Sequence, residues 1–536
     1  MEENNIVAAK KKRLKGWQKA LIAIGSIAGV LVLCFGIFAC TLYFREARNK
    51  DYASSERVEY TTTIYDTEIV WEKGGDDYVE TDLTPVSISL SDSALADFEK
   101  YLDGFAVDYE MSDYYQIPEA LALVQKTEIN TKTHKNDVRV NGVLDADALY
   151  SIIKANNDEY MKENRSFYSE YSNKELKNYC KEIVNMANDI YAKNPQLDMD
   201  TLCCYLNDLK ILDRTIALDF AAVELERGVL HIKEDTIDNY AGLTNNENVR
   251  VVTLYHETMH LFQATCPCNT AENELRLGVL HEFDNLELNP LAWYWLAEAS
   301  AELNAAKTLK LDTVTYKMKI GYLDTLNFVA NLNGTDETAK LENLCFTRDS
   351  NRIYEIFDVN ETAQKEEFIK MMYNIEILQQ APSAFKDWYS NKYNVDLIND
   401  SESRTKLNLN VKYDALLTVT KLFYRNLARL INEGNAALQD VYYLTRIFEC
   451  DLHRHLPTDS VKFLIYAKDF YPEYLKIQNE FFKAVSAQNG IEDMNGEFEK
   501  YSINAQNGDK KLSPNCSLSF LTAEQKNQIT AFADNM

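Results

Sequence analysis

The sequence predicts an α+β protein that is mainly helical, and three observations predict it. Apolar residues recur at helical spacing over long stretches, as in Ala415 to Ile431 (ALLTVTKLFYRNLARLI) and Val461 to Val485. Helix breakers are scarce, with 17 Gly and 9 Pro in 536 residues. Runs rich in β-branched and aromatic residues are short and lie ahead of residue 250, which leaves room for only a small sheet.

Reading from the N-terminus, residues 20–44 (ALIAIGSIAGVLVLCFGIFACTLYF) contain no acid or basic side chain and are long enough to span a bilayer as a helix. Residues 1–19 form a basic tail in which Lys10, Lys11, Lys12, Arg13, Lys15 and Lys19 outweigh Glu2 and Glu3. That bias predicts a single-pass signal anchor in the cell membrane, with the tail cytoplasmic and the rest of the chain outside. Two alternatives stand beside it. A cleaved signal peptide fits a shorter apolar run, and a lipoprotein signal ending at Cys40 would place the bulky Phe38 where small residues are usual.

A polar stalk follows at 45–57. The region 58–195 reads as mixed strand and helix. Glu59 to Trp71 and Val86 to Leu90 have strand composition. Ser93 is placed to cap a helix that carries Leu95, Phe98, Tyr101 and Leu102 on one stripe. From Asp145 onward Leu149, Ile152 and Ile153, then Ile183, Met186 and Ile190, repeat at helical spacing. The region 196–310 holds a strand at Gly228 to Ile232 and the chemistry described next, and 311–536 reads as a large helical C-terminal region.

Charge and cysteine content narrow the function. With 83 acidic against 56 basic residues, the field of the molecule opposes nucleic acid as a partner. Ten cysteines are present; Cys34 and Cys40 fall in the apolar span, and eight lie outside it, where disulfides could use them. Cys203-Cys204 and Cys266-Pro267-Cys268 lack the paired CxxC spacing of a structural zinc site.

Chemistry concentrates at Arg250 to Ala264 (RVVTLYHETMHLFQA), an apolar helix pattern containing His256-Glu257-Thr258-Met259-His260. Residues four apart share a helix face, so His256 and His260 can bind one Zn²⁺ per chain, while Glu257 stands beside them as a general base. A third ligand is required. Trp295-Leu296-Ala297-Glu298-Ala299-Ser300-Ala301-Glu302 offers carboxylates within an apolar block, whereas Cys266 and His281 are outlying alternatives. His453, His455 or a tyrosine could supply a donor to a developing oxyanion.

HExxH followed by a WLxE block resembles the gluzincins, the zincin group that includes thermolysin-like, neprilysin-like and related aminopeptidase families. The resemblance covers about fifty residues and implies a zincin-like metallopeptidase core whose small sheet precedes the HExxH helix. It implies Glu298 as the third zinc ligand and Glu302 as the carboxylate that orients a ligating histidine. By the same analogy, the strand at 228 to 232 would be the edge strand that lines the substrate cleft. Two features depart from the pattern: 37 residues separate His260 from Glu298, and Ala299 stands where the aminopeptidases have glycine. The expected function is an outward-facing zinc metallopeptidase acting on peptides or proteins. A noncatalytic zincin-like surface binding protein and a zinc hydrolase of a nonpeptide amide are the alternatives.

Overall fold

The structure is a computed structural model. It describes residues 86–109, 137–193, 199–214, 246–265, 294–309, 317–333, 351–380, 383–397, 399–455 and 460–499, with shorter pieces between them. The expected membrane span at 20–44 and stalk at 45–57 lie outside the described residues. Among the described residues, no helix is long and apolar enough to cross a membrane.

The chain is mainly helical with little sheet. Helices α1 (Asp92–Gly104), α2 (Ala146–Asn164), α3 (Asn173–Lys193) and α4 (Met199–Asp208) precede α5 (Asn246–Gln263) and α6 (Tyr294–Leu309). Beyond these come α7 (Lys317–Asn331), α8 (Asn351–Ile356), α9 (Thr362–Gln380), α10 (Ser383–Tyr393), α11 (Ser401–Asn432), α12 (Leu438–Arg454), α13 (Ser460–Asn489) and α14 (Met494–Glu499). Several starts are fixed by side chains that satisfy orphan N–H groups. Asp145 accepts from Ala148 N at 2.8 Å, and Asp400 accepts from Glu402 N at 3.0 Å. The cap of α1 is Ser91, which accepts from Ala94 N at 3.3 Å, and not Ser93 as the sequence suggested. Ser93 lies inside the first turn, its hydroxyl 3.1 Å from that of Ser91. Phe98 and Leu102 form the buried stripe of α1, with Leu95 and Tyr101 partly buried beside them.

Strand β1 (Val58–Thr62) pairs antiparallel with β2 (Thr67–Trp71), dividing the predicted 59–71 strand into a hairpin. Strand β3 (Glu80–Thr81) runs parallel to the late β14 (Lys511–Leu512). In the hairpin of β4 (Arg139–Val140) and β5 (Val143–Leu144), Asn141 and Gly142 take φ of 55° and 81°, as an Asn-Gly two-residue turn requires. Strand β6 (Tyr168–Ser169) pairs with β8 (Asp213–Arg214). The sheet ahead of α5 places β10 (Val229–Ile232) between β7 (Lys210–Ile211), parallel to it, and β9 (Ala221–Glu224), antiparallel.

Three expectations are thereby corrected. The strand at 228 to 232 is central rather than an edge, and among the described residues β9 is the outer neighbour lying on α5. Sheet structure does not stop at α5, since β11 (Ala264–Thr265), β12 (Arg276–Leu277) and β13 (Leu280–His281) form an antiparallel patch after it. Val86 to Leu90 makes only the isolated bridge Ser87 to Ala437. Its N–H groups find side chains instead, Val86 N donating to Gln439 Oε1 and Ser89 N to Asn489 Oδ1, both at 2.9 Å.

The main hydrophobic core among the described residues runs from Ile88 to Met494, through all three regions that the sequence suggested, beside a small separate cluster of Met161, Tyr168, Leu212 and Val229. Helix α1 packs against α11 and α13, so an early segment is built into the C-terminal bundle. Helix α11 is enclosed along most of its length, and two of its cations are buried with partners. Lys421 Nζ reaches both oxygens of Glu367 at 2.8 Å, and Arg425 donates to Asp103 at 2.6 Å. Phe423 of α11 stacks on Phe448 of α12, ring centroids 3.9 Å apart. Cys180 and Cys203 are buried free thiols, so these two of the eight cysteines beyond the apolar span form no disulfide among the described residues. Burial pushes the thiols of Cys180 and Cys203 up to about 12, away from the reactive range.

Candidate metal centre

Helices α5 and α6 pack side by side. On α5, Leu254, Met259, Leu261 and Phe262 belong to the core, and the same turns bury His256, Glu257 and His260. On α6, Ala297, Ala299 and Ala301 are fully buried and small, which lets the two backbones approach closely. Glu298 and Glu302, one turn apart, are buried as well. Buried carboxylates and imidazoles must find partners, and these find one another.

His256 Nε2 lies 3.0 Å from His260 Nε2 and 3.3 Å from Glu298 Oε2, and His260 Nε2 lies 3.6 Å from Glu298 Oε1. One ligand atom from each of the three residues can be chosen so that all lie within 4.8 Å of one another. A tetrahedral ion with ligand bonds of about 2.0–2.1 Å has edges of about 3.3–3.4 Å between ligand atoms. The 3.0 and 3.3 Å separations from His256 Nε2 lie close to that edge, while the 3.6 Å one runs to the other Glu298 oxygen, and the buried His256, His260 and Glu298 group could hold a metal ion.

Each imidazole is also gripped from behind. His256 Nδ1 donates to Glu302 Oε2 at 3.1 Å, and His260 Nδ1 is 2.9 Å from Gln263 Oε1. The two rings stand nearly perpendicular, at 83°. Burial pulls the His256 imidazole toward neutrality, but Glu298, Glu302 and, less strongly, Glu257 overcome it and raise it to about 10. Burial would raise the Glu298 carboxyl, yet His260 and His256 hold it well below the usual carboxylate range. The environment is thus electron-rich and favours a cation at the point where the two Nε2 atoms meet.

A second buried pair stands behind α6. Glu376 of α9 accepts the backbone N–H of Trp295 at the start of α6, and its Oε2 lies 3.9 Å from Lys319 Nζ of α7. Lys319 lies over the Tyr294 ring, 5.3 Å from its centroid. Burial first, then the charge of Glu298, raise the Glu376 carboxyl to about 7, with Lys319 opposing them.

The structure therefore brings His256, His260, Glu298 and Glu302 together as the sequence suggested, and buries Glu257 in the same turn. Cys266 lies outside the described residues, and His281 closes β13. His455 is engaged elsewhere, stacking on Tyr322 with centroids 4.2 Å apart and hydrogen-bonding Thr325 at 3.0 Å. His453 lies in α12. Sequence reasoning missed Gln263, Glu376 and Lys319. Gln263 had a legible signal, standing three residues after His260 on the same helix face, whereas the other two reach the site from distant helices.

Comparison with known protein families, curated proteins and solved structures finds no match to this chain.

Proposed function

We propose that the chain is a zinc-dependent hydrolase of peptide bonds, of gluzincin-like design, with His256, His260 and Glu298 as zinc ligands and Glu257 as the general base. The observation that carries the reading is the convergence of two imidazoles and one carboxylate, their ligand atoms within 4.8 Å of one another, in a buried position. Two nitrogens and one oxygen suit zinc, and a three-ligand set leaves one position for water or substrate, as hydrolytic zinc sites require.

A bound zinc supplies Lewis acidity, polarising the scissile carbonyl and acidifying water. The chain's own residues do the rest. Glu257 takes the proton from the attacking water and delivers it to the departing amine. Glu302 holds His256 in the tautomer that points a bare Nε2 inward. Strand β9 is the outer strand of its sheet among the described residues and lies on α5, a placement suited to aligning an extended peptide. We place the protein at the cell membrane, held by residues 20–44 with the described part outside, on the hydropathy and charge of its N-terminus.

Elemental analysis of the purified full-length chain tests the reading. About one zinc per wild-type chain, and far less in Glu298→Ala, is expected. Wild-type protein that takes up no zinc refutes the metal centre. Zinc-loaded protein whose peptidase activity survives Glu257→Gln refutes the assigned chemistry.

A further inference from the structure

We propose that Gln263 is a positioning residue that makes His260 a metal ligand and couples its aim to the helix carrying Glu298. The proposal rests on the metal-centre reading above. It starts from the hydrogen bonds of one fully buried carboxamide. Gln263 Nε2 lies 3.1 Å from the carbonyl oxygen of Ala297 and 3.2 Å from Ser300 Oγ. A backbone carbonyl can only accept, so the amide must present its NH₂ to Ala297 and its Oε1 to His260.

That orientation settles the next atom. Oε1 can only accept, so the 2.9 Å contact to His260 Nδ1 is a donation from Nδ1–H. A neutral imidazole protonated at Nδ1 has its lone pair on Nε2, the atom 3.0 Å from His256 Nε2. The hydroxyl of Ser300 is oriented in turn, donating to Glu342 O at 2.7 Å and leaving a lone pair for the Gln263 amide. A continuous chain from the α6 backbone through Gln263 thus fixes the His260 tautomer and the orientation of its ring.

The two histidines are consequently held by different chemistry. His256 leans on the carboxylate of Glu302, while His260 leans on a neutral amide that also ties α5 to α6. A carboxylate in place of Gln263 would face the Ala297 carbonyl at the same distance and repel it unless protonated. The amide is the side chain that satisfies both sides at once.

Two substitutions in the full-length protein separate positioning from simple helix bracing. Gln263→Met keeps the bulk but removes the acceptor and both donors. Gln263→Glu keeps an acceptor for His260 Nδ1–H and offers Ala297 at most one O–H donor in place of the NH₂. Zinc affinity is measured by competition with a chromophoric chelator, the coordination geometry by the visible spectrum of the Co²⁺ form, and folding by urea unfolding. The Gln263→Met protein is expected to bind zinc about 10- to 100-fold more weakly, with an altered Co²⁺ spectrum, whereas Gln263→Glu restores both toward wild type. Wild-type affinity and spectrum in a folded Gln263→Met protein overturn the proposal, as does a folded Gln263→Glu protein that binds as weakly as Gln263→Met. If Gln263→Met does not fold, the Gln263→Glu comparison with wild type decides alone. Wild-type protein that binds neither zinc nor Co²⁺ instead refutes the metal-centre reading, so the two failures are distinguishable.

Discussion

Replacing Glu376 by glutamine should alter how stability depends on pH, and the structure sets both the sign and the size of the effect. The carboxyl is buried, its Oε2 makes no hydrogen bond among the described residues, and Lys319 stands no closer than 3.9 Å. Burial and Glu298 raise it from 4.5 to about 7. Because the folded-state value is the higher one, the folded protein holds a proton that the unfolded chain releases between these two values. The contribution of Glu376 to wild-type stability must therefore fall as pH climbs from 4.5 to about 7, with the whole penalty present above that window. At about 1.4 kcal/mol per pH unit the window spans about 3 kcal/mol. The amide introduced by Glu376→Gln cannot ionise but still offers an oxygen to the Trp295 N–H. Urea unfolding of both proteins in the presence of chelator, from pH 4.5 to 8, reads the difference directly. The variant's stability minus that of wild type should rise by about 3 kcal/mol across the window. A difference that stays flat to within about 0.5 kcal/mol would show that Glu376 is not held in the environment described.

Three other outcomes are expected. Glu302→Gln should weaken zinc binding about 10- to 100-fold in chelator competition, because the charged acceptor behind His256 is lost while the ligands remain. Gly228→Ala should lower stability by about 1 kcal/mol or more in urea unfolding, since Gly228 sits at φ 61° and an added Cβ would lie 3.2 Å from Asp208 O. Phe423→Ala should cost about 3–5 kcal/mol in the same assay by opening a cavity against Phe448, with zinc content unchanged.

The site was legible in the sequence to the extent that its geometry is helical. Residues 256 and 260 share a face at any helix position, and so do 298 and 302, and the alanines and Trp295 around the glutamates signalled burial. What the spacing did not carry was docking between distant segments. Glu376 and Lys319 meet Trp295 and Tyr294 only because α7 and α9 pack around α6, and no local pattern encodes that. The same limit explains the strands. Val86 to Leu90 has strand composition, yet its N–H groups meet side chains of Gln439 and Asn489 hundreds of positions away. At 228 to 232 the strand was evident, but its place in the sheet depended on pairing with β7 and β9.

The pairing of α5 with α6 also bears on chain topology. His256 and Glu298 stand 42 residues apart, with most of the intervening chain outside the two helices. An ion gripped by both is then a reversible cross-link that closes a loop. In the chain-entropy picture, a permanent bond closing a loop of that length removes about 4 kcal/mol of freedom from the unfolded chain. Metal uptake and formation of the α5–α6 pair should consequently reinforce one another. Adding metal would protect the intervening segment's two ends from separating even after a protease had cut between them.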